Sequence, residues 1–390
     1  MTLRIAFVYH FDDRAWLGGK NYFSSLFSAI HAVAPNEVKL ILIAGKNTET
    51  SLAREFPYLE VVRTPFLDRF HPLWALRQIG RIPSKRRHDP IFERLLRRLR
   101  VDVLSHSTPL TGVDSDIKCL GWLPDFQFVH MPEMWSPPEL ERVRRGCENV
   151  CRRSDELVVS SHAALKDLRA FAPWYHKPAH VLQFISAPAN LGELRSLESL
   201  REQYQLPPAY FHLPNQFWNH KNHGVVIDAL ALLKAQGINA TVVCTGNTSD
   251  LRMPAYFGEL MQRCHAAGIE DRFRVLGVVP YVDMQALMLH AHAVINPSKF
   301  EGWSTPVEEA RTMGKHVLLS DIAVHREQAP PSANYFAPDR PAELAAAMCA
   351  ALTKDATHAQ PEEWRHNYDA RLRELGVAYL QIARSLQSSK

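Results

Sequence analysis

Two doubly wound α/β domains in succession are the architecture that the sequence predicts. Short apolar runs of strand length alternate with longer stretches of helical periodicity along most of the chain, which is the pattern of a parallel sheet covered by helices. The chain has 390 residues, more than one hydrophobic core usually organises. The alternation also restarts in the second half, after a polar, proline-containing stretch near residue 190.

The first strand spans 3–9, where apolar, β-branched and aromatic residues dominate. A loop bearing Gly18 and Gly19 leads to a helix over 21–33, and 38–44 is the next strand. Strands follow at 101–105 and 119–123, the second running into the loop PDFQFVHMPEMW. A helix over 138–153, a strand at 156–160, a helix over 161–171 and an apolar run at 181–184 complete the first half. Ser161 suits a helix N-cap.

In the second half, strands are expected at 210–213, 240–244, 273–276, 293–296 and 316–319. Helices are expected over 222–236, 255–267, 282–291 and 306–313. Five strands interleaved with four helices indicate a second doubly wound domain. The expected division is therefore 1–190, 191–365 and a closing helical stretch, 366–390.

Composition excludes a largely disordered chain: 46% of residues are hydrophobic and 22% charged. A formal charge of +4 permits an anionic ligand without requiring one. The six cysteines are scattered, which gives no disulfide framework and little support for a metal site, so reduced thiols are expected. No signal-peptide pattern or run of about 20 apolar residues appears, and a cytoplasmic protein is expected. Residues 77–100 hold nine Arg or Lys against Asp89 and Glu93. That stretch reads either as a solvated surface or as a patch for an anionic acceptor or for anionic lipid headgroups on the cytoplasmic face of an inner membrane. No recognised nucleic-acid motif accompanies the charge.

The chemistry concentrates after Asn296. Pro306 falls where a helix begins, since its missing donor is harmless in the first turn. Backbone amides of Gly302, Trp303, Ser304 and Thr305 then lie near a helix N-terminus and can hold a phosphate. Glu301 and Glu309 bracket the segment, and Glu309, placed in the first turn, can accept hydrogen bonds from a ribose diol. Asn215, Gln216, His220, Lys221, Asn222 and His223 fall between another strand and helix. There Lys221 is the natural partner of a diphosphate, and the two histidines read as solvent-facing or supporting groups.

The run from Glu301 to Ala310, continuing through Gly314 to Ser320 and Asp321, resembles the Glu-x7-Glu signature of retaining GT-B glycosyltransferases of family 4. The resemblance implies two Rossmann-like domains facing across a cleft, with no metal or other cofactor. It assigns Glu301 to the donor sugar, Glu309 to the nucleotide ribose and the amides of residues 302–305 to the sugar and diphosphate. Lys221 matches the family's diphosphate-binding lysine, whereas Gln216 stands where arginine is commoner. Gly18 and Gly19 match a glycine pair approaching donor phosphate or acceptor, with Lys20 beside them. In WLPDFQFVHMPEMW, Asp125, His130 and Glu133 become acceptor-side candidates, and Phe128 replaces a histidine common in bacterial members. His130, Lys221 and Glu301 are the catalytic candidates.

The implied reaction transfers a hexosyl or deoxyhexosyl group from a nucleoside diphosphate sugar to a hydroxyl of a glycan or lipid-linked acceptor, in surface polysaccharide synthesis such as O-antigen or capsule. Two other readings share the architecture. One is a sugar-nucleotide epimerase, against which Glu-x7-Glu speaks. The other is a non-catalytic nucleotide- or glycan-binding protein, which Gln216 and Phe128 favour.

Overall fold

Seven parallel strands form the first sheet: β1 Leu3–Tyr9, β2 Val38–Ala44, β3 Glu60–Arg63, β4 Val103–Ser105, β5 Lys118–Leu123, β6 Glu156–Val159 and β7 Ala179–Val181, in the order β3-β2-β1-β4-β5-β6-β7. The structure, a computed structural model, describes residues 2–9, 17–48, 50–81, 89–107, 115–186, 194–353 and 361–388. β1 pairs with β2 along its whole length, from Leu3 opposite Val38 to Tyr9 opposite Ala44. Both strands are almost wholly buried, as expected when helices cover both faces of a parallel sheet.

The second sheet holds β8 Phe211–Leu213, β9 Val242–Thr245, β10 Phe273–Gly277, β11 Val294–Asn296, β12 Val317–Ser320 and β13 Ala333–Phe336, all parallel, in the order β10-β9-β8-β11-β12-β13. Counted within its own unit this is the 3-2-1-4-5-6 arrangement of a doubly wound nucleotide-binding sheet, and its chain order reverses between β8 and β11. The core beneath it joins Phe211, Leu213, Val226, Leu230 and Val242 to Ile295, Leu344 and Met348. Two Rossmann-like units result.

Unit 1 comprises residues 1–129, 136–185 and 369–390, and unit 2 comprises residues 130–135 and 186–368. The helix Pro361–Ser388 contributes to each: Trp364 is buried in a unit 2 cluster, while the Tyr379 hydroxyl donates to Ser105 Oγ at 2.9 Å in unit 1. Gly376 lies so close to the helix Leu17–Val33 that a Cβ there would meet the Ala29 carbonyl oxygen at 2.2 Å.

Several expectations change. Gly18 and Gly19 lie in the first turn of the helix Leu17–Val33 rather than in a loop before it. Lys20 is held by Glu55 at 2.7 Å. β3 and β13 were not expected, because they are four-residue edge strands that stay half-exposed. The basic stretch contributes to two helices, Pro72–Arg81 and Pro90–Arg98; residues 82–88 between them lie outside the described residues.

Candidate functional site

Lys221 and Glu301 meet on opposite sides of the point where the strand order of unit 2 reverses. Lys221 follows β8 and Glu301 follows β11, and loops leaving the carboxyl ends of such strands form the ligand crevice of open α/β sheets. The Lys221 ammonium donates to Glu301 Oε1 at 2.7 Å, and the Ser298 hydroxyl lies 2.7 Å from the same oxygen. Both charged side chains are largely buried, so each needs the other or a ligand of matching charge.

The loop is built on Asn296, fully buried at the end of β11. Its amide nitrogen donates to Ser304 Oγ at 2.7 Å and its amide oxygen accepts from Asn215 Nδ2 at 3.2 Å; that oxygen also lies 2.7 Å from Ser298 Oγ, whose single proton serves either it or Glu301. Asn222 holds a left-handed backbone conformation, φ 58°, and its amide spans the carbonyls of Pro297 and Pro338 at 3.0 and 2.7 Å. The loops after β8, β11 and β13 are thereby tied together by side-chain amides, which satisfy backbone groups that would be costly to bury alone. Asn296 and Asn222 were not singled out as scaffold residues. The signal for Asn296 is a carboxamide closing an otherwise apolar strand.

The amide cradle is only partly available. Ser304 stands at the N-cap position of the helix Thr305–Thr312 without a side-chain capping bond, and its own N–H donates to Gln328 Oε1 at 3.3 Å while its carbonyl accepts from Gln328 Nε2 at 3.0 Å. Gln328 also donates to Glu308 at 3.1 Å. The expectation of four free amides is therefore corrected to exclude Ser304. Trp303 is buried, and Gly302 and Thr305 are half-buried.

Glu309 lies in the second turn of this helix, one turn later than expected, and is 1% exposed. Its carboxyl accepts from Ser186 Oγ at 3.1 Å and from the Tyr281 hydroxyl, and the Gln285 side chain adds a third hydrogen bond. Burial pushes its pKa up to about 7, against the pull of those donors. Tyr281, Ser186 and Gln285 were missed because they are far apart in sequence and share no motif.

Gln216 is engaged as a brace, its Oε1 accepting from the Asn247 amide at 2.7 Å. Gly246 makes that approach feasible: its φ is +143° and a Cβ there would meet the Asn215 carbonyl oxygen at 2.4 Å. His220 and His223 are buried rather than solvent-facing. Burial lowers the His220 pKa to about 2, helped by the charges of Lys221 and Arg252, and lowers that of His223 to about 3. His223 stacks on Phe217 with centroids 4.1 Å apart. Arg252, also missed, lies 5.1 Å from the Trp135 ring and 5.5 Å from the Trp218 ring, which brings a second cation into the field of His220.

His130 is exposed, and its ring lies 5.1 Å from that of Phe300, next to Glu301. Residues 130–135 accordingly belong to unit 2, although they continue from β5 of unit 1. Glu133 is exposed on the same segment. Asp125 belongs to unit 1, where it accepts from the Gln127 amide at 2.9 Å at the start of the helix Gln127–His130. Phe128 is buried against Phe171, 5.4 Å away at 89°, so that position is a packing site here. Ser161 caps its helix by accepting from Ala164 N at 3.0 Å. Among the described residues no group of three or more His, Cys, Asp or Glu is placed to hold a metal.

The two sheets, each with a reversal of strand order, define a GT-B fold, and comparison with solved structures agrees. Residues 199–369 match the family described as Glycosyl transferases group 1. The chain is similar over its full length, and that of the other protein, to sucrose-phosphate synthase from Thermosynechococcus elongatus, with TM-score 0.67 and 15% identity. Anabaena Alr3699/HepE in complex with UDP and glucose gives TM-score 0.66 and 15% identity, again over 100% of both chains. An α,α-trehalose-phosphate synthase (UDP-forming) from Burkholderia xenovorans gives TM-score 0.62 and 12% identity over 99% of this chain and 100% of the other. No curated protein matches the chain in a sequence search.

Proposed function

We propose that the chain is a retaining family 4 glycosyltransferase that moves a hexosyl or deoxyhexosyl group from a nucleoside diphosphate sugar to a hydroxyl of a glycan or lipid-linked acceptor, in surface polysaccharide synthesis. The observation that carries this is the Lys221–Glu301 pair at the reversal point of the unit 2 sheet. A diphosphate entering there offers Lys221 a second anionic partner, while Glu301 is released to accept hydrogen bonds from sugar hydroxyls. The group 1 match over residues 199–369 contains every residue of this pair and Glu309. The complex of Alr3699/HepE with UDP and glucose supports a nucleotide-sugar ligand for this fold.

In the proposed reaction the bond between the anomeric carbon and the diphosphate oxygen breaks as the acceptor oxygen bonds to the same face of the sugar. The acceptor proton passes to a leaving diphosphate oxygen. Lys221 stabilises the charge that grows on that leaving group, and the amides of Gly302 and Thr305 add fixed dipoles. Glu309 accepts from the ribose diol once Tyr281 and Ser186 yield their hydrogen bonds. His130, beside Phe300, orients the acceptor hydroxyl together with Glu133, and Asp125 supports that segment.

The test is to incubate the purified chain with UDP, GDP and dTDP sugars in turn, recording thermal stabilisation and slow release of nucleoside diphosphate. One nucleotide class is expected to raise the melting temperature, as any ligand of the folded state must. Lys221→Ala is expected to lower diphosphate release by about a hundredfold. Stabilisation and release by none of the three classes would overturn the proposal.

A further inference from the structure

The positive charge around Lys221 is too small for the ligand that the crevice of unit 2 would take. A nucleoside diphosphate sugar brings a negative charge on each phosphate, whereas Lys221 and Glu301 carry opposite charges that cancel while they pair. The neighbouring histidines add nothing. Burial lowers the pKa values of His220, His223 and His325, so all three rings are neutral near pH 7. Gln216 is uncharged and engaged with Asn247. The amides of Gly302 and Thr305 supply only partial charges. A further full positive charge has to come from another loop.

Arg252 meets that requirement from the loop after β9. The loop after β8 holds this loop twice, because Gln216 Oε1 accepts from the Asn247 amide at 2.7 Å and the Phe217 amide donates to the Asn247 carbonyl at 2.9 Å. Asn247 Oδ1 then accepts from the Ser249 amide at 3.0 Å, and Asp250 Oδ1 from the Arg252 amide at 2.9 Å. Two successive side-chain turns thus fix the backbone up to Arg252. Its guanidinium lies over the ring of Trp218, three residues before Lys221, and over the ring of Trp135 in the segment 130–135 of the same unit, at 5.5 and 5.1 Å. Its charge is felt at His220, the residue next to Lys221. Stacking engages the flat faces of a guanidinium and leaves its N–H groups directed outward in the plane, where they can fork onto phosphate oxygens. Asp250 approaches Nε only to 3.5 Å, and the arginine side chain keeps 20% of its surface in solvent. A side chain needed merely to fill the space between two tryptophans would not have to carry a charge into a half-buried position.

We propose that Arg252 is a second cation of the donor site and binds the diphosphate together with Lys221. The proposal rests on the nucleotide-sugar reading of this site. It gives Gln216 a task of its own, which is to hold the loop that brings Arg252 to the crevice.

The experiment is calorimetric titration of the full chain with UDP, GDP and dTDP, followed, for whichever binds, by an NMR titration with the parent nucleoside. Arg252→Met keeps the length and apolar body of the side chain and removes its charge; Arg252→Gln serves the same purpose if the Met variant does not fold. The uncharged variant is expected to bind the nucleoside diphosphate at least about tenfold more weakly, with the nucleoside affinity unchanged. Arg252→Lys is expected to recover part of the loss. The diphosphate affinity of the wild type should also fall more steeply with salt than that of the uncharged variant. Wild-type diphosphate affinity in the uncharged variant would overturn the proposal, and if the KM for the acceptor alone rises, Arg252 belongs to the acceptor. Equal weakening of nucleoside and diphosphate would overturn it as well, because the arginine would then act through packing. These outcomes leave the transferase reading standing, whereas a wild-type chain that binds no nucleoside diphosphate overturns both.

Discussion

Glu309 is a buried carboxyl whose ionisation the fold resists. Its folded pKa of about 7 exceeds the ordinary carboxyl value of 4.5, so the protonated form is favoured in the folded state. The stability that this confers is complete below about pH 4.5 and is lost as pH rises through about 7, an effect of up to about 3 kcal/mol. Glu309→Gln keeps the shape and cannot ionise. Its melting temperature relative to wild type should therefore rise between pH 5 and pH 8, and a pH-independent difference would show that the carboxyl is not the group responsible. If ribose hydroxyls donate to the ionised carboxylate, nucleotide affinity should increase over the same interval.

At the scale of elements, the loop geometry around Lys221 depends on one backbone position that no motif marks. Gly246 ends the β9 turn at φ +143°, and a Cβ would drive into the Asn215 carbonyl oxygen, a backbone atom with nowhere to move. Gly246→Ala should destabilise the chain by about 2 kcal/mol or more, measured by urea unfolding. It should also disturb the Gln216 to Asn247 hydrogen bond and so weaken nucleotide binding more than the stability loss alone predicts. Retention of wild-type stability would mean that the two loops can separate without cost. The helices were legible because their apolar faces repeat over many residues, as in Tyr256–Ala267 and His223–Ala235. The edge strands β3 and β13 were not, since EVVR and ANYF bury too little to carry a pattern.

At the scale of the whole molecule, the last helix completes a unit that begins at residue 1. Leu372, Leu375, Tyr379, Leu380, Ala383 and Leu386 are buried, and Tyr379 reaches Ser105 at the end of β4. Ending the chain at Tyr368 should expose this apolar surface on unit 1 and leave Ser105 without its donor. The expected outcome is a large fall in melting temperature or insoluble protein, whereas a soluble truncated chain with an unchanged transition would show that the helix contributes no stability.

The sequence by itself determined the α/β class, the order of most strands and helices, and the segment from Glu301 to Glu309. Those features are written in local periodicity, in proline and serine at helix starts and in residue spacing, all of which act between near neighbours. Tertiary structure alone decided that Lys221 and Glu301 pair across 80 residues. It also decided that Gln328 occupies the Ser304 amide, that Tyr281 and Ser186 reach Glu309, and that residues 130–135 pack with unit 2. Such contacts depend on which loops the strand order brings to one sheet edge. Once those loops are buried, every charge and amide must find a partner there, wherever in the chain that partner lies.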